Sequence, residues 1–140
     1  LDSRVEIEYE TYAKEINIEA KAMIDIAAKQ IIPAVIKYTT VLAQSINAVK
    51  SACGADISAQ TEILTEVSDL LADAQNALDK LKDVTEKASA MDEGREQAVY
   101  YRDTVKTAMD ELRAPVDKLE MLVDKSMWPM PSYGDLLFEV

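Results

Sequence analysis

The sequence predicts an all-α fold, an elongated antiparallel bundle of three long helices followed by an extended tail. Three observations carry that prediction. Apolar residues return at helical spacing over three long stretches, near 4–52, 58–91 and 95–127. The three glycines, Gly54, Gly94 and Gly134, fall only at the joins and in the tail. Aromatic residues make up just 6% of the chain and alanines fill the stripes, which favours closely packed helices over a sandwich or barrel with its many turns. With 140 residues, 49% of them hydrophobic, the chain fits one domain with a real core.

The first stretch has no Gly and a single Pro, and the rest of the chain reads as packing onto it. Tyr9, Tyr12, Ile16, Ala20, Met23, Ala27, Ile31, Ala34, Tyr38, Leu42, Ile46, Val49 and Cys53 follow one helix face turn after turn. Their mean spacing of about 3.67 residues lies nearer an eleven-residue repeat than a heptad, so a nearly straight helix is expected. Ile18, Ile24, Ala28, Ile32 and Val35 widen the apolar arc, while Asn17, Lys21, Asp25 and Lys29 leave one narrow polar line. A helix this apolar needs two neighbours. Pro33 has no N–H to donate and crowds the carbonyl of Lys29, at about 3 kcal/mol inside a helix. The stripe nevertheless continues in phase, which predicts a kink between Lys29 and Pro33 rather than an end. Gly54 can supply the left-handed residue that closes the helix. Cys53, in the last turn, is expected as a small buried hydrophobe.

Ser58 is placed to cap the second helix, with Glu62 complementing its dipole. Ile63, Val67, Leu70, Ala74, Ala77, Leu81, Val84, Ala88 and Met91 then alternate steps of four and three, and Leu64, Leu71 and Leu78 flank them. This heptad face is wider than a two-strand seam, so at least three helices are expected. Asp92, Glu93 and Gly94 interrupt the pattern in a short turn, which makes the second and third helices antiparallel neighbours. Ala98, Tyr101, Val105, Ala108, Leu112, Val116, Leu119, Val123 and Met127 form the third stripe. Pro115 lies inside it, and again a kink is expected. Folding back at Gly54 would set Met91 level with about Ala20, so that Tyr9 and Tyr12 overhang.

After Met127 the character changes. Trp128, Pro129, Met130 and Pro131 forbid helix, Gly134 permits a tight turn, and Leu136, Leu137 and Phe138 form an apolar run. Domain organisation is therefore a helical bundle over 1–127 and an apolar tail over 128–140. The tail needs an apolar surface, on this bundle or on a neighbour, and its interaction residues are Trp128, Tyr133, Leu136, Leu137 and Phe138. Trp128 is expected beside residues 46–53 and 57–64.

The formal net charge of −11 disfavours nucleic acid and anionic membranes, whose phosphates attract Lys and Arg. No apolar run approaches the roughly 20 residues of a membrane span, and no basic-then-apolar leader opens the chain, so a soluble protein is expected. A single cysteine cannot form an internal disulfide, which fits a reducing, cytoplasmic setting. The absence of His removes the commonest general base and most zinc and haem ligation. Asp69 with Asp73, and Asp79 with Asp83, share helical spacing but lie off the heptad core, where a solvated acidic face is expected rather than a metal site. No Gly-rich phosphate loop is present. Neither catalytic, cofactor-binding nor metal-ligating residues are assigned.

Two blocks carry more than periodicity. One comprises Ser3-Arg4-Val5-Glu6-Ile7, Ile16-Asn17-Ile18-Glu19-Ala20 and the run Gln30-Ile31-Ile32-Pro33-Ala34-Val35-Ile36-Lys37-Tyr38. The other comprises Tyr100-Tyr101-Arg102-Asp103, Met109-Asp110-Glu111-Leu112-Arg113-Ala114-Pro115 and the ending from Trp128 to Phe138. Together they resemble the C-terminal helical domain of type III glutamine synthetase, the large-subunit bacterial form. The resemblance implies a parent enzyme that joins ammonia to glutamate at the expense of ATP. It also implies divalent metal, Mg or Mn, in that parent and a ring-shaped homo-oligomer whose upstream catalytic domains and neighbouring subunits are this segment's partners. Leu1 in place of Met fits a fragment. The segment itself is expected to be non-catalytic, serving assembly, stability or regulation. The alternative is a free-standing helical interaction protein of spectrin-like or coiled-coil type.

Overall fold

Three helical arms account for nearly all the residues that the computed structural model describes, 2–130, with side chains from Glu8 onward. Among these residues there is no strand. The first arm is one continuous run of α1 (Asp2–Ile26), a π-turn (Ala27–Ile31) and α2 (Ile32–Cys53). The π-turn has a physical cause. Pro33 cannot donate to the carbonyl four residues earlier, and its ring would strike that carbonyl in a regular helix. Just ahead of it the ladder shifts to a wider bond, with the Ile32 N–H donating to the Ala27 carbonyl. Gly54 closes the arm at φ 63°, ψ 22°, the left-handed conformation that costs a glycine least.

The second arm is α3 (Ser58–Ala90). Its entry is held by Asp56 rather than by Ser58. The Asp56 carboxylate accepts from the Ser58 amide and hydroxyl, and the two bonds, hydroxyl first, hold that carboxyl below its usual range. Gly94, at φ 142°, turns the chain into the third arm, which runs through α4 (Arg95–Tyr100), a second π-turn (Tyr101–Val105) and α5 (Lys106–Leu122). Buried Gln97 ties this join together, its amide donating to the carbonyls of Ala88 at 3.0 Å and Met91 at 3.2 Å. Further along, Lys80 reaches Glu111 at 2.9 Å across the same pair of arms. Pro115 is buried inside α5, ten residues past the π-turn that ends at Val105, with regular helix immediately before it.

All three arms feed one core. Leu78, Leu81, Leu112, Leu119, Val35, Val67 and Val105 are its fully buried large side chains. Ala20, Ala74, Ala88 and Ala108 have no exposed surface, and their small side chains let the helix backbones approach closely. Tyr101 sits beneath α1, and its hydroxyl donates to Asn17 Oδ1 at 3.2 Å. Burial raises that hydroxyl above its ordinary pKa. Tyr12, Tyr38 and also Tyr100, which lies off the stripe, pack against the same core.

Four local expectations change. Met91 lies beside Glu10, Ala13, Lys14 and Asn17 rather than Ala20, so Tyr12 packs on the core and Tyr9 is half-buried. Met91 has already left the helix in extended conformation, ψ 151°, and the π-turn in the first arm uses one residue without a matching advance. The third arm stops at Leu122 rather than Met127. As a result α2 packs on α3 but makes at most marginal contact with α5, and Cys53, near the tip of the α2–α3 hairpin, is exposed. Finally, the helix over Glu8–Cys53 is long and apolar enough to cross a membrane by length and composition, against the expectation that no such run exists, although Val35 and Leu42 on it are buried in the protein.

Candidate interaction site around Trp128

The site begins where α5 ends. Val123 turns extended at ψ 141° and stays buried, and the Asp124 carboxylate then accepts from the Ser126 amide at 2.9 Å and the Ser126 hydroxyl at 2.8 Å. Those two bonds, the amide first, keep the Asp124 carboxyl below its usual range. The Asp124 carbonyl accepts from the amides of Met127 and Trp128, closing a single 3-10 turn (Lys125–Met127). An aspartate bonding its own backbone two residues on is a strong local turn former. It turns the chain away from the line of α5.

Trp128 is thereby laid over a groove between the first and third arms, not beside residues 46–53 and 57–64. The groove holds about 580 Å³. Met23, Ile26, Ala27, Ile31, Met109, Leu112 and Val116 give it an apolar floor, and Trp128 and Met130 stand at one side. Glu19, Arg113, Asp117 and Glu120 form a charged rim, with Arg113 also bonded to Asp110 at 3.2 Å. The Trp128 indole N–H is buried and has no hydrogen-bond partner among the described residues. Such a group costs about 1–3 kcal/mol until an acceptor reaches it. Of the expected interaction residues only Trp128 is brought to this site, because Tyr133, Leu136, Leu137 and Phe138 lie outside the described residues.

A smaller cleft of about 250 Å³ opens at the Gly94 end, lined by Glu10, Lys14, Asn17, Glu93, Gln97 and Tyr101 among others. There the Glu93 carboxyl is raised above its usual range, first by a hydrogen bond with Glu10 and then by the charge of Glu10. Sequence periodicity gave no hint of Gln97 or of the Asn17–Tyr101 bond. The Asp-x-Ser spacing at Asp124 and Ser126 was the signal available for the turn.

This arrangement suits docking of apolar side chains. Among the described residues no three Cys, Asp or Glu side chains converge on a common point. Asp69, Asp73, Asp79 and Asp83 lie exposed along α3.

Comparison with known proteins extends the picture. Residues 1–50 match the model of the glutamine synthetase C-terminal domain. The chain is 35% identical over 139 residues to a glutamine synthetase of Butyrivibrio fibrisolvens and 27% identical over 143 residues to one of Bacteroides fragilis. It is 29% identical over 143 residues to a type-3 glutamine synthetase of Dictyostelium discoideum. Each match takes in 99% of this chain, α3 included, and 20% of the relative, so the chain spans about a fifth of the length of these proteins. The family match in the first arm and the full-length matches agree with the motif resemblance at both ends of the sequence, and the chain is similar throughout to the C-terminal part of these glutamine synthetases.

Proposed function

We propose that this chain is the non-catalytic C-terminal domain of a type III glutamine synthetase, and that it contributes to assembly or stability of a parent enzyme. That parent makes glutamine from glutamate and ammonia with ATP and Mg or Mn, in a cytoplasmic homo-oligomer. The observation that carries the reading is the ratio of coverage: the matches use 99% of this chain and only 20% of each relative. A helical segment with an apolar groove and no convergent carboxylates among its described residues suits an accessory role beside chemistry done elsewhere. In this reading the three arms act as a stiff elongated antiparallel bundle, kinked near Pro33 and Pro115, and the tail docks on the bundle or on a neighbouring subunit. Trp128, Tyr133, Leu136, Leu137 and Phe138 supply its apolar contacts. The unsatisfied Trp128 N–H and the open groove beside it support a dock close to this point.

The test removes residues 133–140 from the whole enzyme and measures oligomer mass and activity, with calorimetry of the separate 140-residue chain against ATP and glutamate. Weakened assembly or a lower melting temperature after deletion, with no heat of binding from the chain, is expected. Micromolar ATP binding by the chain would overturn the accessory role. Unchanged assembly and unchanged melting would overturn the role given to the tail.

A further inference from the structure

We propose that the hairpin formed by α2 and α3 is a self-association surface, pairing two-fold with the same hairpin of a second copy of this chain. Three observations converge on it. The first is an apolar helix whose one long neighbour is α3, with only the short turn Lys125–Met127 besides. Because α5 ends at Leu122, α2 has α3 as its main partner. The outward face of α2 presents Ile36, Lys37, Thr40, Val41, Gln44 and Asn47, all exposed, with Ile36 at 50% and Val41 at 47%. One charge on so long an exposed face is unusual in a chain in which 29% of residues are charged. Depletion of charge is what distinguishes the centre of a protein interface from the rest of a surface.

The second observation is charge segregation. No carboxylate occurs between Asp25 and Asp56, so the charged side chains of α2 are Lys37 and Lys50 alone. No cation occurs between Lys50 and Lys80, and Glu62, Glu66, Asp69 and Asp73 form an exposed acidic line along the first half of α3. The third is that these groups are unpaired. Among the described residues the ion pairs join Lys29 to Asp25, Lys80 to Glu111, Lys87 to Asp83, Arg102 to Asp103 and Arg113 to Asp110. Neither the α2 lysines nor the four α3 carboxylates take part.

A second copy satisfies both needs at once. In a two-fold pairing of hairpins, α2 of each copy meets α3 of the other, which makes a four-helix arrangement of the two tips. Lys37 of each α2 then faces the acidic line of the other α3, as flanking charges select partners in coiled coils. A net charge of −11 would otherwise keep copies apart, so attraction confined to one hairpin also sets the orientation.

Charge reversal separates this from any other occupant. Sedimentation of the 140-residue chain should show a concentration-dependent dimer that salt weakens. The double variants Lys37→Glu/Lys50→Glu and Glu66→Lys/Asp73→Lys should each lose at least about tenfold in dimer affinity on their own, while far-UV circular dichroism shows both still helical. Mixed together they should recover the dimer, because each then offers the charge that the other lacks. A wild-type chain that stays monomeric overturns the proposal, as does either variant dimerising like wild type, or a mixture that stays monomeric. If the chain is monomeric while Val41→Glu weakens assembly of the whole enzyme, another part of that enzyme covers α2 and the proposal also fails.

Discussion

Replacing Gln97 should reveal how much of the second join depends on one buried amide. The side chain is 8% exposed and donates to two carbonyls, Ala88 at 3.0 Å and Met91 at 3.2 Å. Each neutral hydrogen bond contributes about 0.5–1.5 kcal/mol, so Gln97→Met, which keeps the length and loses both donors, should cost about 1–3 kcal/mol. Gln97→Glu should cost more at neutral pH, about 3 kcal/mol or above, because a carboxylate then faces two carbonyl oxygens. That carboxyl is pushed above its unfolded value of about 4.3 by burial and by the oxygens around it. The sign follows: below about pH 4.3 the acid is neutral in both states and the extra penalty is absent, and the penalty grows as pH rises through the folded value. Urea melts followed by circular dichroism, each variant read against wild type at the same pH, measure both effects. A Gln97→Met midpoint equal to wild type, or a Gln97→Glu deficit that does not change with pH, would refute the reasoning.

Two further outcomes test the packing and the acidic surface. Leu81→Ala, at a site with no exposed surface, should destabilise by about 2–5 kcal/mol in urea melts, whereas Ile18→Ala, at 67% exposure, should leave the midpoint nearly unchanged. Glu93→Gln should raise the melting temperature at neutral pH by removing repulsion with Glu10. Since the Glu93 carboxyl is raised in the folded state, that gain should vanish at pH values low enough to protonate it in both states.

The three arms were legible because each rests on a long repeat of apolar positions, and periodicity averages over many residues. Gly54 and Gly94 were legible for the same reason that they are needed: their φ values of 63° and 142° disfavour other residues. Local exceptions were harder to read. The end of the third arm hangs on the single Asp124 carboxylate, which overrides a stripe that runs on to Met127. The π-turn at Tyr101–Val105 has no proline to announce it. Cys53 looked buried because its stripe is unbroken, yet burial depends on where a different arm stops. Trp128 was recognisable as an anchor from its composition and context, but its partners follow from the direction of one 3-10 turn.

The π-turn at Ala27–Ile31 also governs how the first arm tolerates change in length. Removing one residue there would draw the ladder back toward ordinary helical spacing, where the Pro33 ring again crowds a carbonyl it cannot bond, at about 3 kcal/mol. It would also turn everything upstream by about 100° relative to α2, because one residue is that fraction of a helical turn. Ile16 and Ala20 would then swing off α3 and the third arm while Val35 and Leu42 stayed in place. The five residues of the turn thus act as a phase setting between two halves of one rod, and a single-codon deletion in them would put the halves out of register.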